Sequence, residues 1–494
     1  MGIEITQSEF DRDSYVEFQI KLHKNLEALG QLLQSPDFGK LKDGSLAIGA
    51  ELEMYIIDND CRPLSINKQI LEAAQDPQLT LELNRYNLEY NLSPYAINKQ
   101  PFSNTEQDIV SQLRKLNLLA KQYDGRILPI GILPTLQTSH FGPDFLTDRQ
   151  RYKTLVEQLA KRRSSDFHID INGEHPLQVD MKDGTLEGAN TSFQIHYRID
   201  PANYADTFNA FQMVTPLLVA IGANSPGLFG HSLWCETRIP LFKQSIDSRI
   251  KDRYQWHEPA RVNFGQGWIR HSALEIFREI VSIYSPLLPI CSDEDPVDQF
   301  HRGFVPSLAE LRLHQSSVWL WNRPIFDDTD GGHLRIELRA LPAGPTAVDM
   351  VANAAFYIGL AESYREEMPQ LMPALPFGLA EFNFYRAAQS GLNANIVWPS
   401  LEQSGCQQHK VIDILQNSIS RAKSGLKSIG ISELEANKYV DVIQNRINNG
   451  QTGASWQSDR IKYYRAKHSN IESQRLMLED YISHSVSNVP VSEW

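Results

Sequence analysis

Hydrophobic positions along this chain recur with two different periods. Phe18, Leu22, Leu26, Leu29 and Leu33 are spaced by four, four, three and four, which puts them on one helical face and predicts a helix over residues 14–34. Similar spacing predicts helices at 104–123, where Thr105 is the expected N-cap and Gly125 follows the end, and at 148–163 and 203–223. A further helix is expected at 345–368, whose many small residues predict close packing against a neighbour. Residues 408–484 read as helices separated by glycine-containing turns. The expected organisation is a main unit over 1–400 with a helical extension, 401–494, packed on it and contributing to stability.

Between the helices lie four segments with period two, where successive side chains point to opposite faces of a strand. In 46–58, Leu52, Met54 and Ile56 oppose Glu51, Glu53 and Tyr55. In 87–94, Leu88, Tyr90 and Leu92 oppose Asn87, Glu89 and Asn91. In 191–199, Phe193, Ile195, Tyr197 and Ile199 oppose Ser192, Gln194, His196 and Arg198. In 331–342, Leu334, Ile336 and Leu338 oppose Arg335, Glu337 and Arg339. A solvated outer face explains any one such strand. As a set, the polar faces hold four glutamates, a histidine, amides and arginines but no lysine, which is unlike an ordinary surface.

Composition narrows the function. Apolar residues make up 41% and charged residues 22% of 494, which fits a globular protein with a substantial core. Sixty acids against 47 Lys and Arg give −13, with no basic tract, so neither a nucleic acid nor an anionic membrane is an expected partner. No apolar run approaches the roughly 18 residues that span a bilayer. The N-terminus, MGIEITQSEFDRD, lacks the apolar stretch of a signal peptide, and its formal match to an N-myristoylation pattern is read as chance. Cys61, Cys235, Cys291 and Cys406 form no CxxC, so a reducing, cytoplasmic setting is expected rather than a disulfide framework or zinc site. Oligomeric state is not written in the pattern.

If the four polar faces share one concave wall, their carboxylates repel unless a cation or proton lies among them. Magnesium or manganese suits hard oxygen ligands and tolerates one imidazole. Arginines on the same wall fit phosphate bidentately, and acidic metal sites beside such arginines are the equipment of phosphoryl transfer. The chain contains no P-loop, kinase glycine loop, HExxH or GxSxG.

The order of these motifs resembles the glutamate–cysteine ligase family, within the glutamine-synthetase-like carboxylate–amine ligases. The resemblance runs through IGAELEMYIID, ELNRYNLEYNLSP, DRQRYKTL, NTSFQIHYRID, ANSP within LLVAIGANSPGLFG, CETRIP and HLRIELRALP, from about residue 46 to about 365. It implies an α+β fold in which a curved antiparallel sheet of about six strands forms a cup-shaped active site flanked by helices, with a helical C-terminal part. It implies Mg2+ or Mn2+ on Glu51, Glu53, Glu89, His196 and Glu337, with Glu82 a weaker candidate. Arg339, Arg335 and Arg238 would contact phosphate or acyl phosphate, and Gln194 and Asn87 would line the nucleotide or substrate pocket. ATP would phosphorylate the γ-carboxylate of glutamate, and an amine, cysteine foremost, would attack the acyl phosphate beneath a lid drawn from 183–190 or 225–231. Gln194 with His196 mixes the patterns of two branches, which leaves the amine open. The alternatives are a ligase of the same fold using another amine, a relative without catalysis, and a metal-dependent hydrolase.

Overall fold

The computed structural model describes residues 7, 9–40, 46–163, 165–249, 256–400 and 407–494. The hexapeptide with the myristoylation pattern and Cys406 lie outside the described residues. The strands that build the central sheet are β1 (Ala47–Ile57), β2 (Leu79–Leu81), β3 (Asn87–Ala96), β4 (Arg126–Leu128), β5 (Phe193–Ile199), β6 (Asn322–Asp327) and β7 (His333–Leu338). Six of them follow one another in the order β6-β7-β5-β1-β3-β2, and β4 pairs with the far end of β1. Every pairing is antiparallel, and the sheet curls into an open half-barrel, the cup expected from the sequence.

All four period-two segments are central strands of this sheet, with ends moved by only a few residues. Among the long helices are α1 (Arg12–Gln34), α2 (Pro101–Ala120), α3 (Gln150–Arg163), α4 (Tyr204–Gly222), α5 (Ala347–Tyr364), α6 (Val411–Ser428), α7 (Glu433–Asn449), α8 (Gly453–Arg465) and α9 (Asn470–Ser487). Helix α2 begins three residues before the expected start. Pro101 occupies its first turn, where a fixed φ and a missing N–H cost nothing. Thr105 is therefore not its cap: its hydroxyl donates to the Pro101 carbonyl from inside the helix.

The apolar face of the sheet packs on α4 and α5. Tyr197 of β5 lies edge-on to Phe211 of α4, and its hydroxyl donates to Glu362 of α5. The small residues of α5 do permit close approach. A Cβ added to Gly425 of α6 would fall on the carbonyl oxygen of Gly359, so the two helices touch backbone to backbone.

The C-terminal helices are held by a buried charge pair. Arg446 of α7, 1% exposed, donates to Asp349 Oδ1 at 2.8 Å and to Asn353 Oδ1 at 2.6 Å, both on α5. Deleting one partner of such a pair strands the other charge in low dielectric. Replacing Arg446 with Met is expected to cost about 3–5 kcal/mol in urea unfolding; a loss under about 1 kcal/mol would show that Asp349 does not depend on it.

Candidate active site

Strand register brings the polar faces side by side. Glu53 of β1 is opposite Glu89 of β3, Glu51 is opposite both Asn91 and Gln194, and His196 of β5 is opposite Glu337 of β7. Like charges directly across a pair destabilise a sheet, so the compensations made here are informative. They differ between the two halves of the wall.

In the first half, Glu51, His196 and Glu337 converge. One ligand atom from each lies within 4.8 Å of the others, the single grouping of this kind among the described residues. His196 Nε2 is 2.9 Å from Glu51 and 3.8 Å from Glu337, yet it is buried without an aligned hydrogen bond. The ring thus faces the space between the two carboxylates. His196 Nδ1 accepts from Arg335 Nε at 3.0 Å, which leaves the proton of a neutral ring on Nε2, facing that space. Two carboxylates and an imidazole nitrogen aimed at one point fit a hard divalent cation, which would stand where that proton now points.

Arginines hold this half ionised. Arg323 forms a bidentate pair with Glu337 at 2.6 and 2.8 Å, and Arg339 donates to the same carboxylate at 3.1 Å and to Gln194 Oε1. Burial alone would raise Glu337, but Arg323, Arg339 and His196 overcome it and hold the carboxyl well below its ordinary range. Burial is likewise overcome at Glu51, where His196 brings the value down to about 2.

In the second half, burial prevails over such support. Burial raises Glu89 to about 7, with the charges of Glu51 and Glu53 adding to the effect. Burial and the repulsion of Glu89 and Glu53 put Glu82 well above its ordinary range. Glu53 is also raised by burial, although Arg339 and Arg238 oppose it and Ser192 N and Gln194 Nε2 donate to it at 2.6 and 2.8 Å.

Two cavities flank the triad, and Glu51 lines both. The larger, about 430 Å³, also meets Glu53, Glu82, Glu89, Gln194, Glu337 and Arg339. The smaller, about 350 Å³, is lined by His196, Arg198, His333 and Arg335. Two expected wall residues are elsewhere. Arg238 is 2% exposed and lies behind the wall, where its guanidinium pairs with buried Glu236 at 3.2 Å and donates to the Ala340 and Arg339 carbonyls. It supports the backbone that carries Arg339. Asn87 shares the inner face but sits opposite Tyr55, at the closed end of β1, and lines neither cavity.

Several wall residues escaped the sequence reading. Arg323 lies on β6, whose Pro324 disguises a strand; proline is tolerated there because β6 is an edge. Asp327, on the same strand, accepts from Arg335 at 2.6 Å. Arg149, Arg151 and Tyr152 at the start of α3, and Glu187, line the larger cavity. The resemblance of DRQRYKTL pointed to that helix start; nothing in the pattern pointed to Glu187. The loop 225–231 lines neither cavity, and 183–190 is a pinned 3-10 turn whose Asp183 and Asn190 side chains bond its own backbone.

These carboxyl shifts set a sign for stability. Glu89 is raised from 4.5 to about 7 and Glu187 to about 8, so each favours folding fully below 4.5 and loses that contribution as pH rises through 7–8. Glu51 is lowered, so its contribution is present above 4.5 and is lost only as pH falls towards 2. The melting temperature of the metal-free protein is expected to fall between pH 5 and pH 8, and Mg2+ is expected to offset the fall. A flat profile, or one that Mg2+ does not alter, would mean that the acids are not confined as described.

No curated protein sequence matches this chain significantly. Among solved structures, it is similar to glutamate–cysteine ligase from Francisella tularensis in complex with AMP, at 12% identity and TM-score 0.50, with 92% of each chain covered. It is also similar to a bifunctional glutathione synthetase from Pasteurella multocida, at 11% identity and TM-score 0.50, covering 94% of this chain and 55% of that one. At these identities the likeness is one of fold. The model of glutamate–cysteine ligase family 2 matches residues 47–479, every sheet strand and nearly all of the C-terminal helices included, and the chain belongs to that family.

Proposed function

We propose that the protein is an ATP-dependent carboxylate–amine ligase. In this reading it joins the γ-carboxylate of glutamate to an amino-acid amine, cysteine foremost, through an acyl phosphate. The observation that carries the proposal is the pair of cavities meeting at Glu51, with arginines on both sides of the Glu51–His196–Glu337 triad. Arginine alternates with glutamate along β7, so Arg335 faces the smaller cavity and Arg339 the larger, with Glu337 between.

The smaller cavity, with Arg198, His333 and Arg335, suits a nucleotide whose phosphates reach the triad. The larger, with Arg149, Arg151 and Arg339, suits substrates that carry carboxylates. The triad would hold Mg2+ or Mn2+, and a bound divalent ion neutralises phosphate charge and orients the γ-phosphoryl group. A carboxylate cannot be acylating while its leaving group is oxide; transfer of the phosphoryl group to it creates one that leaves as phosphate. Arg339, held by Glu337 and Gln194, would balance charge on the group in transfer and on the tetrahedral adduct that follows. The walls limit water, which would otherwise hydrolyse the acyl phosphate.

The direct test supplies ATP, Mg2+ and glutamate with a panel of amines, cysteine first, and measures phosphate release and product mass. Phosphate release matched by a γ-glutamyl amide is expected; hydrolysis of amides without ATP would replace the ligase with a hydrolase. Glu53→Gln removes a carboxylate whose charge burial already disfavours, so it should leave unfolding little changed while lowering turnover by about 100-fold or more. Arg339→Lys, which lacks the guanidinium fork, should do the same on the order of 100-fold. Normal rates in either variant would remove that residue from the chemistry.

A further inference from the structure

Six glutamates line the larger cavity, and five of them receive a hydrogen bond or ion pair. Glu51 meets His196, Glu337 meets Arg323 and Arg339, and Glu53 accepts from Ser192 and Gln194. Glu89 accepts from Thr80 and Asn91, and Glu82 from the Leu83 N–H. Glu187 is the exception: among the described residues no hydrogen bond or ion pair reaches its carboxylate, and of the cations only Arg339 acts on it, through its charge at a distance.

This carboxylate does not hang on a loose loop. It is carried by the 3-10 turn Gly184–Ala189. Asp183 caps the turn through Thr185 N, Asn84 Nδ2 donates to Thr185 O, and Asn190 Nδ2 donates to the Glu187 carbonyl. Gly188 lies so close to Asn84 that a Cβ there would overlap its amide. The main chain is thus held while the acid side chain is left without a protein partner, in a cavity that already contains arginines for anionic groups. A carboxylate in such a place is matched by a cation from the ligand.

Resting on the ligase reading above, we infer that Glu187 receives the attacking amine: its carboxylate binds the substrate's ammonium group and takes one proton from it before the nitrogen attacks. The amine lone pair then forms the C–N bond to the acyl carbon. The C–O bond to phosphate breaks with its electron pair on the phosphate oxygen, and the second nitrogen proton leaves with that phosphate. An ammonium group thereby becomes an amide N–H, one proton going to Glu187 and one to HPO4²⁻, with no redox change. Burial, and after it the charge of Glu53, raises Glu187 to about 8 against the opposing charge of Arg339; an ammonium group bound beside it favours the carboxylate form, which then accepts the proton.

The test compares two nucleophiles in the full-length protein with ATP, Mg2+ and glutamate. One is the amino acid that gives the highest rate, whose nitrogen is an ammonium at neutral pH. The other is hydroxylamine, which is a free base there and needs no acceptor before attack. Glu187→Gln is expected to lower turnover with the amino acid by about 100-fold while leaving hydroxylamine-supported phosphate release within about threefold. Its remaining amino-acid activity should rise with pH as the amine itself deprotonates, and Glu187→Asp should recover part of the loss. Hydroxylamine turnover also reports that the variant is folded. Equal loss with both nucleophiles, or no loss with either, would overturn the role of Glu187 and leave the ligase reading intact. Wild-type protein that releases no phosphate with any amine, hydroxylamine included, would overturn both.

Discussion

Crowding of like charge on one concave wall is the constraint from which the rest of this structure follows. A curled antiparallel sheet must bury one face against helices and close the other around a cavity, and here the closed face carries carboxylates from three strands. Water cannot screen them fully, so each must find a cation, a donor or a proton. Near β7 the answer is arginine and histidine, which keep Glu51 and Glu337 ionised. Near β3, burial and the neighbouring carboxylates push Glu82 and Glu89 towards the neutral form. That asymmetry gives the wall a strongly ionised side suited to holding metal and phosphate and a side whose charge depends on what binds.

The helices around the sheet serve the same wall. Asn224 joins the two layers: its backbone N–H donates to Glu236, and its amide donates to Tyr481 of α9 and accepts from Gln457 of α8. Glu236 in turn pairs with Arg238, which braces the carbonyls of Arg339 and Ala340. A continuous line of buried polar contacts thus runs from the C-terminal helices to the strand end that presents Arg339.

Much of this was legible in the chain. Alternation in IGAELEMYIID and HLRIELRALP marked both the strands and the inward acids, because a strand half buried in a core and half in a cleft cannot hide its period. What stayed hidden has physical causes. Arg323 stands beside a proline that reads as a strand breaker until the strand is known to be an edge. Arg238 has the residue type of a phosphate ligand, but Glu236, two positions earlier, captures it below the wall. Glu187 sits in a turn that has no periodicity, and only tertiary packing of Asn84 and Gly142 around it brings it to the cavity. Pro101, not Thr105, sets the start of its helix, since a preformed φ acts before a side-chain cap is needed.

The central claim is that Glu51, His196 and Glu337 make one cation site from three strands. Titration of the full-length protein with Mn2+, followed by the loss of the free-ion electron paramagnetic resonance signal, tests it most directly. The account predicts saturable binding by the wild type, weakened by at least about tenfold in Glu51→Gln. Equal affinity in the two proteins would contradict it.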